Sequence, residues 1–372
     1  MYSKELESIK KSNRFRTREL FDDNLIDLAS NDYLGLSTNK TLFENAYKIL
    51  LKENYHSPKA SMLVNGYSKI HKKFEDRLCE VNDFEAGVIV GSGFLANISM
   101  IEALTRKNDT LFIDEEYHAS GILATKLLKP EQVIVFNHND FKDLEKKISA
   151  NQRTGRNIIA IEGVYSMGGD LAPIEIFQIA DEKKAILIVD EAHSFGVIGD
   201  NLLGIFDYYK IKPTPYHVKM GTLGKAYGSY GAYILASKQI IDFLTNRAKP
   251  IIYSTAPSLF DTALANESLD YIIENKDLLK EKIKNNLTLI KNILGLNSQS
   301  LIIPILIGDN KRVKKIQENL KQNGFLVGAI RQPTVKEAII RLIAKIDINE
   351  NDLTKVCNLL KDSNVNKWFN KR

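Results

Sequence analysis

Between residues 84 and 236, short apolar runs alternate with stretches of helical periodicity. The runs cover residues 87–90, 110–113, 133–136, 158–161 and 185–189. Each is apolar at successive positions, not alternate ones. A strand written that way is covered on both faces, as in a parallel sheet packed between helices. The pattern predicts an α/β fold with a mostly parallel central sheet flanked by helices. Residues 259–294 read as one long, charged, amphipathic helix. Then come a strand (301–307), a helix (311–323), two strands (325–330 and 338–343) and a last helix (350–360). That order predicts a smaller α+β C-terminal domain. The expected organisation is a segment 1–45 packing with the small domain, a large domain 46–258, and a small domain 259–372 that includes the linking helix. The polar tail from Lys361 is expected to fray.

Composition narrows the function. At 372 residues the chain can bury the core of two domains. A net charge of +5 is too mild to mark a nucleic-acid binder, although it favours phosphorylated or acidic partners. The densest basic stretch is Lys10, Lys11, Arg14, Arg16 and Arg18, which reads as a solvated face. Cys79 and Cys357 are the only cysteines, so a disulfide framework and a thiolate metal site are excluded. The start of the chain lacks the apolar core of a signal peptide, and no apolar run approaches membrane-spanning length. The expected location is the cytoplasm.

Ligands in open α/β sheets bind beyond the carboxyl ends of the strands. The residues just past each apolar run are therefore informative. After residues 87–90 comes Gly91-Ser92-Gly93-Phe94, a glycine turn opening a helix, whose free N–H groups suit a phosphate. After 110–113 comes a segment ending in His118, placed to lie over a planar ring. After 158–161 comes Glu162-Gly163-Val164-Tyr165-Ser166, with a hydroxyl donor. After 185–189 comes Asp190-Glu191-Ala192-His193. A carboxylate at a buried strand end needs a partner, and a protonated pyridine nitrogen is one. His193 lies within reach of the same ring. Taken singly, the glycine turn is a weak signal, and His118 and Ser166 read first as ordinary loop residues.

The last of the set is Lys225, in Gly221-Thr222-Leu223-Gly224-Lys225-Ala226-Tyr227-Gly228. Glycines let the backbone turn sharply and approach a bulky partner. An amine is nucleophilic only when unprotonated, and a desolvated or cationic pocket achieves that. The loop reads either as a solvated hairpin lysine or as a Schiff-base lysine, for which pyridoxal phosphate is the commonest partner. Asp190 to His193 also spells the DEAH of nucleotide-driven helicases. That reading needs an upstream GxxxxGK[ST] loop, and the chain has none.

The ordered set resembles the α-oxoamine synthase family of fold-type I pyridoxal-phosphate enzymes. The resemblance runs over residues 27–341. It is carried by Ser30-Asn31-Asp32-Tyr33-Leu34-Gly35-Leu36, Gly66-Tyr67-Ser68 with His71, Gly91-Ser92-Gly93-Phe94 with Ala96-Asn97, His118-Ala119-Ser120, Glu162 to Met167, Asp190 to His193, Thr222 with Lys225, Ile252-Tyr253-Ser254-Thr255, and Ala329 to Val335. The last segment matches the branch that condenses L-alanine with a pimeloyl thioester for biotin. The resemblance implies roles. Lys225 carries the cofactor and shuttles the Cα proton, Asp190 holds the pyridine nitrogen, and His118 stacks on the ring. His193 and Ser166 contact the ring oxygen. Gly93, Phe94 and Thr222 bind the phosphate, with Thr255 reaching it from a second subunit. Arg331 pairs the substrate carboxylate. Thr334, Asn31 and Arg14 or Arg16 line the acyl site. A homodimer with coenzyme A or an acyl carrier protein as donor is implied by the same likeness.

The chain departs from the family at Met62, where an arginine is usual, at Gly169, where an aspartate is common, and at Lys336-Glu337-Ala338. These departures leave a synthase of different amino acid and acyl donor, such as glycine C-acetyltransferase, as an alternative. A non-catalytic partner subunit is a remoter one, since such a subunit would typically have lost Lys225.

Overall fold

The computed structural model describes residues 1–12 and 14–363. Most of the expected polar tail, residues 364–372, lies outside them. The chain divides into two compact units. The strands, in chain order, are β1 (Ile26–Leu28), β2 (Ala86–Val90), β3 (Thr110–Asp114), β4 (Val133–Phe136), β5 (Asn157–Glu162), β6 (Ile186–Asp190), β7 (His217–Thr222), β8 (Ala232–Ala236), β9 (Ile302–Gly308), β10 (Phe325–Ile330) and β11 (Ala338–Ile343).

The larger unit comprises residues 34–166 and 170–279. Its seven-stranded sheet runs β2-β8-β7-β6-β5-β3-β4. Every strand is parallel to the next except β8, which is antiparallel to both neighbours. The unbroken apolar runs have a plain cause: every residue of β3 and β6 is buried. Burying each such Leu, Ile or Val contributes about 1.5–3 kcal/mol. The parallel strands all end at one edge, and that edge carries Asp114, Glu162, Asp190 and Thr222.

Among the described residues, the smaller unit comprises 1–12, 14–33, 167–169 and 280–363. Its four-stranded sheet runs β1-β10-β11-β9, with β1 parallel to β10 and the other pairs antiparallel. The divisions fall after Tyr33 and Leu279, not after residues 45 and 258 as the sequence pattern suggests. The reason is packing: Ala46 of the helix Lys40–Leu50 buries against Ile70, Leu259 and Ala263, which belong to the larger unit. The expected single long helix is two, Leu259–Glu274 and Lys276–Leu294. Asn275 separates them, and its side-chain amide donates to Tyr271 O at 2.9 Å, a local bond that competes with helix continuation. Among the described residues no helix is long and apolar enough to cross a membrane.

Candidate active site

Asp190 ends β6, opposite Glu162 of β5 and Met220 of β7. Its carboxylate is buried, and leaving it unpaired would cost several kcal/mol. Two N–H groups answer it. Oδ1 accepts from the Ala192 backbone at 2.9 Å, and Oδ2 accepts from Asn97 Nδ2 at 2.9 Å. Burial, with the charge of Asp190 adding to it, holds the Glu162 carboxyl far above the usual carboxylate range; Lys225 acts against both. Glu162 Oε2 accepts the backbone N–H of Ser166 at 3.1 Å, which places the buried Ser166 beside this strand end.

Lys225 sits in the turn between β7 and β8. Three backbone bonds close the turn: Leu223 N to Gly231 O, Ser229 N to Leu223 O and Gly228 N to Lys225 O, each 2.9 Å. Gly228 adopts φ +61°, and a Cβ there would lie 2.5 Å from Ser37 N. Only glycine meets both demands, the left-handed backbone and the close approach. The turn brings Lys225 Nζ to 2.7 Å from Nε2 of His193, which is itself buried three residues beyond Asp190. Two adjacent parallel strands thus deliver an acid, an imidazole and an amine to one place.

The helix Gly93–Leu104 opens on Ser92, whose Oγ accepts from Leu95 N at 3.3 Å. The Gly93 and Phe94 N–H groups belong to its first turn, where a helix offers donors to an anion. A Cβ on Gly93 would extend to 3.7 Å from Thr222 Cβ, filling the ground between helix start and strand end. Thr222 Oγ1 donates to Gly231 O at 3.1 Å and accepts from Gly224 N at 3.4 Å. His118 caps the helix Ala119–Thr125 with its ring exposed. Its pKa is lowered by partial burial; the charge of Asp190 opposes that shift and Lys225 reinforces it. Thr255 lines a small cavity with Gly91, Val90 and Met62. The residues fit a planar phosphorylated aldehyde: an amine, an exposed imidazole, a buried carboxylate, and helix N–H groups at a glycine that leaves open the ground toward Thr222.

The other expected residues belong to the smaller unit. Arg16 Nη2 donates to Thr334 Oγ1 at 3.2 Å. Arg331 O accepts from Thr334 N at 3.0 Å. Arg14 N donates to Ile9 O at 3.0 Å, and its side chain is exposed. Asn31 Oδ1 accepts from Arg341 Nη1 at 2.9 Å and from the Tyr33 hydroxyl at 3.4 Å.

Gly169 is explained by its backbone. It has φ +71°, a Cβ there would lie 2.5 Å from Ile302 O, and its carbonyl accepts from Ser300 Oγ at 2.7 Å. A side chain does not fit this contact. Gly169→Asp is expected to lower stability by roughly 1–3 kcal/mol in urea denaturation, and an unchanged midpoint would contradict that.

Sequence reasoning assigns no site role to Asn97, Tyr117, Ser120 or Arg341. Their signals are an asparagine in the apolar run Ala96-Asn97-Ile98 and an arginine inside Ile339-Ile340-Arg341-Leu342. Both are buried polar groups in apolar elements. Glu191, by contrast, serves the fold: it accepts from Ile205 N at 2.7 Å and pairs with Lys219 at 3.6 Å.

Beside the site, His138 joins Asp114 at the end of β3 to Asp170, in the hairpin closed by the Val164–Leu171 bridge. Its Nδ1 lies 3.0 Å from Asp114 Oδ1 and its Nε2 lies 2.8 Å from Asp170 Oδ2. Burial opposes its charge, but the two carboxylates overcome this and raise its pKa to about 10. The stabilisation is full below the ordinary histidine value of about 6.5 and is lost as pH rises through about 10. Denaturation midpoints of the native chain should therefore fall over that window. His138→Gln should flatten that part of the curve; parallel curves would refute the assignment.

Comparison with known proteins identifies the family and the fold. The family described as aminotransferase class I and II matches residues 23–360. The chain belongs to that family. It is 47% identical to the 8-amino-7-oxononanoate synthase of Helicobacter pylori strain J99, over 97% of each chain. It is 38% identical to a putative 8-amino-7-oxononanoate synthase of Aquifex aeolicus, over 96% of each. Among solved structures it resembles 8-amino-7-oxononanoate synthase from Francisella tularensis, with TM-score 0.78 and 24% identity over 94% of this chain and 100% of that one. It also resembles Sphingomonas wittichii serine palmitoyltransferase, with TM-score 0.85 and 23% identity over 91% and 87%. These structural likenesses establish the fold-type I architecture. The aminotransferase class I and II fold thus holds the lysine loop, the Asp190 strand end and the glycine-opened helix in one unit.

Proposed function

We propose that this chain condenses L-alanine with a pimeloyl thioester, with loss of carbon dioxide and thiol, to form 8-amino-7-oxononanoate for biotin. The observation that carries the chemistry is the Lys225 Nζ to His193 Nε2 approach of 2.7 Å, next to a buried Asp190. The substrate choice is supported by the nearly full-length similarity to the Helicobacter enzyme.

Pyridoxal 5′-phosphate, when bound, supplies an aldehyde that links amines and a ring that draws electrons from the amino-acid Cα. Asp190 holds the pyridine nitrogen as a charged partner. Gly93 and Phe94 give backbone N–H groups to the phosphate, and Thr222 adds its hydroxyl by turning from Gly231 O. Thr255 of a second subunit completes that end in a homodimer. His118 covers one ring face, and Ser166 and His193 serve the ring oxygen. Lys225 Nζ removes the alanine Cα proton and returns one to the same carbon after carbon dioxide has left. A base held beside its target replaces a bimolecular proton transfer. Arg331 takes the substrate carboxylate through its planar fork, with Arg341 as a second candidate, buried on β11. Asn31, Thr334, Arg14 and Arg16 meet the acyl donor, either a coenzyme A or an acyl-carrier-protein thioester. The reaction belongs in the cytoplasm.

The test is a spectral titration of the cofactor-loaded protein with alanine, glycine and serine, each with and without pimeloyl thioester, followed by mass analysis of the product. Alanine with the pimeloyl donor should give 8-amino-7-oxononanoate. Faster product formation from glycine and an acetyl thioester would overturn the substrate assignment.

A further inference from the structure

We propose that Tyr117, Asn97 and Ser120 are positioning residues, forming a directed hydrogen-bond chain that anchors Asp190 and locks His118 in its Nε2–H tautomer. The direction is set by donor counting. Asn97 faces Asp190 Oδ2 at 2.9 Å, Ser120 Oγ at 3.0 Å and the Tyr117 hydroxyl at 2.6 Å. A carboxylate only accepts, so the amide must present its nitrogen to Asp190. A flipped amide would set oxygen against oxygen at a buried position. With the nitrogen fixed there, the amide oxygen faces Tyr117, whose hydroxyl is the donor. Burial first, and then the charge of Asp190, push the Tyr117 pKa well up, so this donor persists across the working range.

The two amide hydrogens then go to Asp190 and to Ser120. Having accepted one bond, Ser120 Oγ directs its own hydrogen to His118 Nδ1, 2.6 Å away. The Ser120 backbone N–H points at the same nitrogen from 3.3 Å. A ring nitrogen that receives two donors carries no proton of its own. The His118 proton is therefore on Nε2. Protonating Nδ1 would set its hydrogen against the fixed Ser120 backbone N–H and turn the Ser120 hydroxyl away, so the ring is held neutral. The lowered pKa of His118 agrees.

The consequence for the site rests on the proposed function. A neutral imidazole can cover a cationic cofactor ring without charge repulsion, and the chain of bonds links that neutrality to the carboxylate that would pair the pyridine nitrogen. The hydrogen-bond chain itself lies entirely within one unit. All its members are protein atoms, so it is expected with or without cofactor.

The experiment uses the full chain labelled with [15N]histidine. Six histidines make each ring signal assignable by single replacement, with His118→Gln identifying the one of interest. Long-range 1H–15N spectra at neutral pH should show His118 unprotonated at Nδ1 and protonated at Nε2, both with cofactor and after its removal. Ser120→Ala should give a mixture of tautomers. Tyr117→Phe should speed loss of bound cofactor on dialysis about tenfold, the effect of one buried bond. A proton on Nδ1 of the native chain, or a tautomer unchanged in Ser120→Ala, overturns the proposal; the first result needs no variant to fold. If the chain takes up no pyridoxal phosphate but His118 keeps the Nε2–H form, the chain of bonds stands and the proposed function falls.

Discussion

Lys225→Ala is expected to lower turnover by at least about four orders of magnitude, the upper range for a positioned acid–base group, because the same amine also carries the cofactor. Borohydride reduction should fix cofactor to the native chain at residue 225 and fail to do so in the variant. The fold should persist. The turn bonds at Leu223, Gly228 and Ser229 are all backbone bonds that alanine preserves. An unchanged denaturation midpoint with lost turnover would separate chemistry from folding. Added small amines should restore part of the rate by replacing Nζ. Turnover within about tenfold of the native enzyme would remove Lys225 from its assigned role.

Asp190→Asn should lower turnover by roughly two to three orders of magnitude, the effect of losing one preorganised electrostatic partner. Hydrogen-bond supply adds a cost in stability. Asp190 accepts two N–H donors, one on each oxygen, at 2.9 Å each. An asparagine of the same shape has one acceptor oxygen and one NH2 group. With the Asn97 amide held in place by Tyr117 and Ser120, a donor meets a donor at either Ala192 N or Asn97 Nδ2, whichever way the new amide turns. One buried donor is left unmet, at a cost of about 1–3 kcal/mol. The variant should therefore be measurably less stable in urea, still bind cofactor through its phosphate and Lys225, and turn over slowly. Near-native rates would contradict the pairing of Asp190 with the pyridine nitrogen.

Both predictions rest on residues that the sequence exposed and on contacts that it concealed. Asp190 and Lys225 were legible because each closes an apolar run or opens a glycine turn, and strand ends are where ligands meet such a sheet. Asn97 was visible as a letter but not as a partner, since its contact with Asp190 spans 93 positions. The Arg341–Asn31 bond spans 310. The comparisons decided the family.

Local pattern was enough for the five successive strands of the large sheet's apolar runs: burial on both faces leaves no alternating polar position in β3 and β6, and the edge strand β4 keeps an unbroken apolar run although Val135 is exposed. It was also enough for the order of chemical groups along the chain, since each sits just past its strand. Pattern did not reveal that β8 reverses direction, because an antiparallel strand buried on both faces carries the same letters as a parallel one. Nor did it place the divisions after Tyr33 and Leu279 or the break at Asn275. Those depend on which helix covers which, and on single side-chain bonds that compete with regular backbone. Which donor answers which acceptor inside the site was likewise settled only by folding, because a hydrogen bond is decided by distance and direction in space, and neither is written between neighbours on the chain.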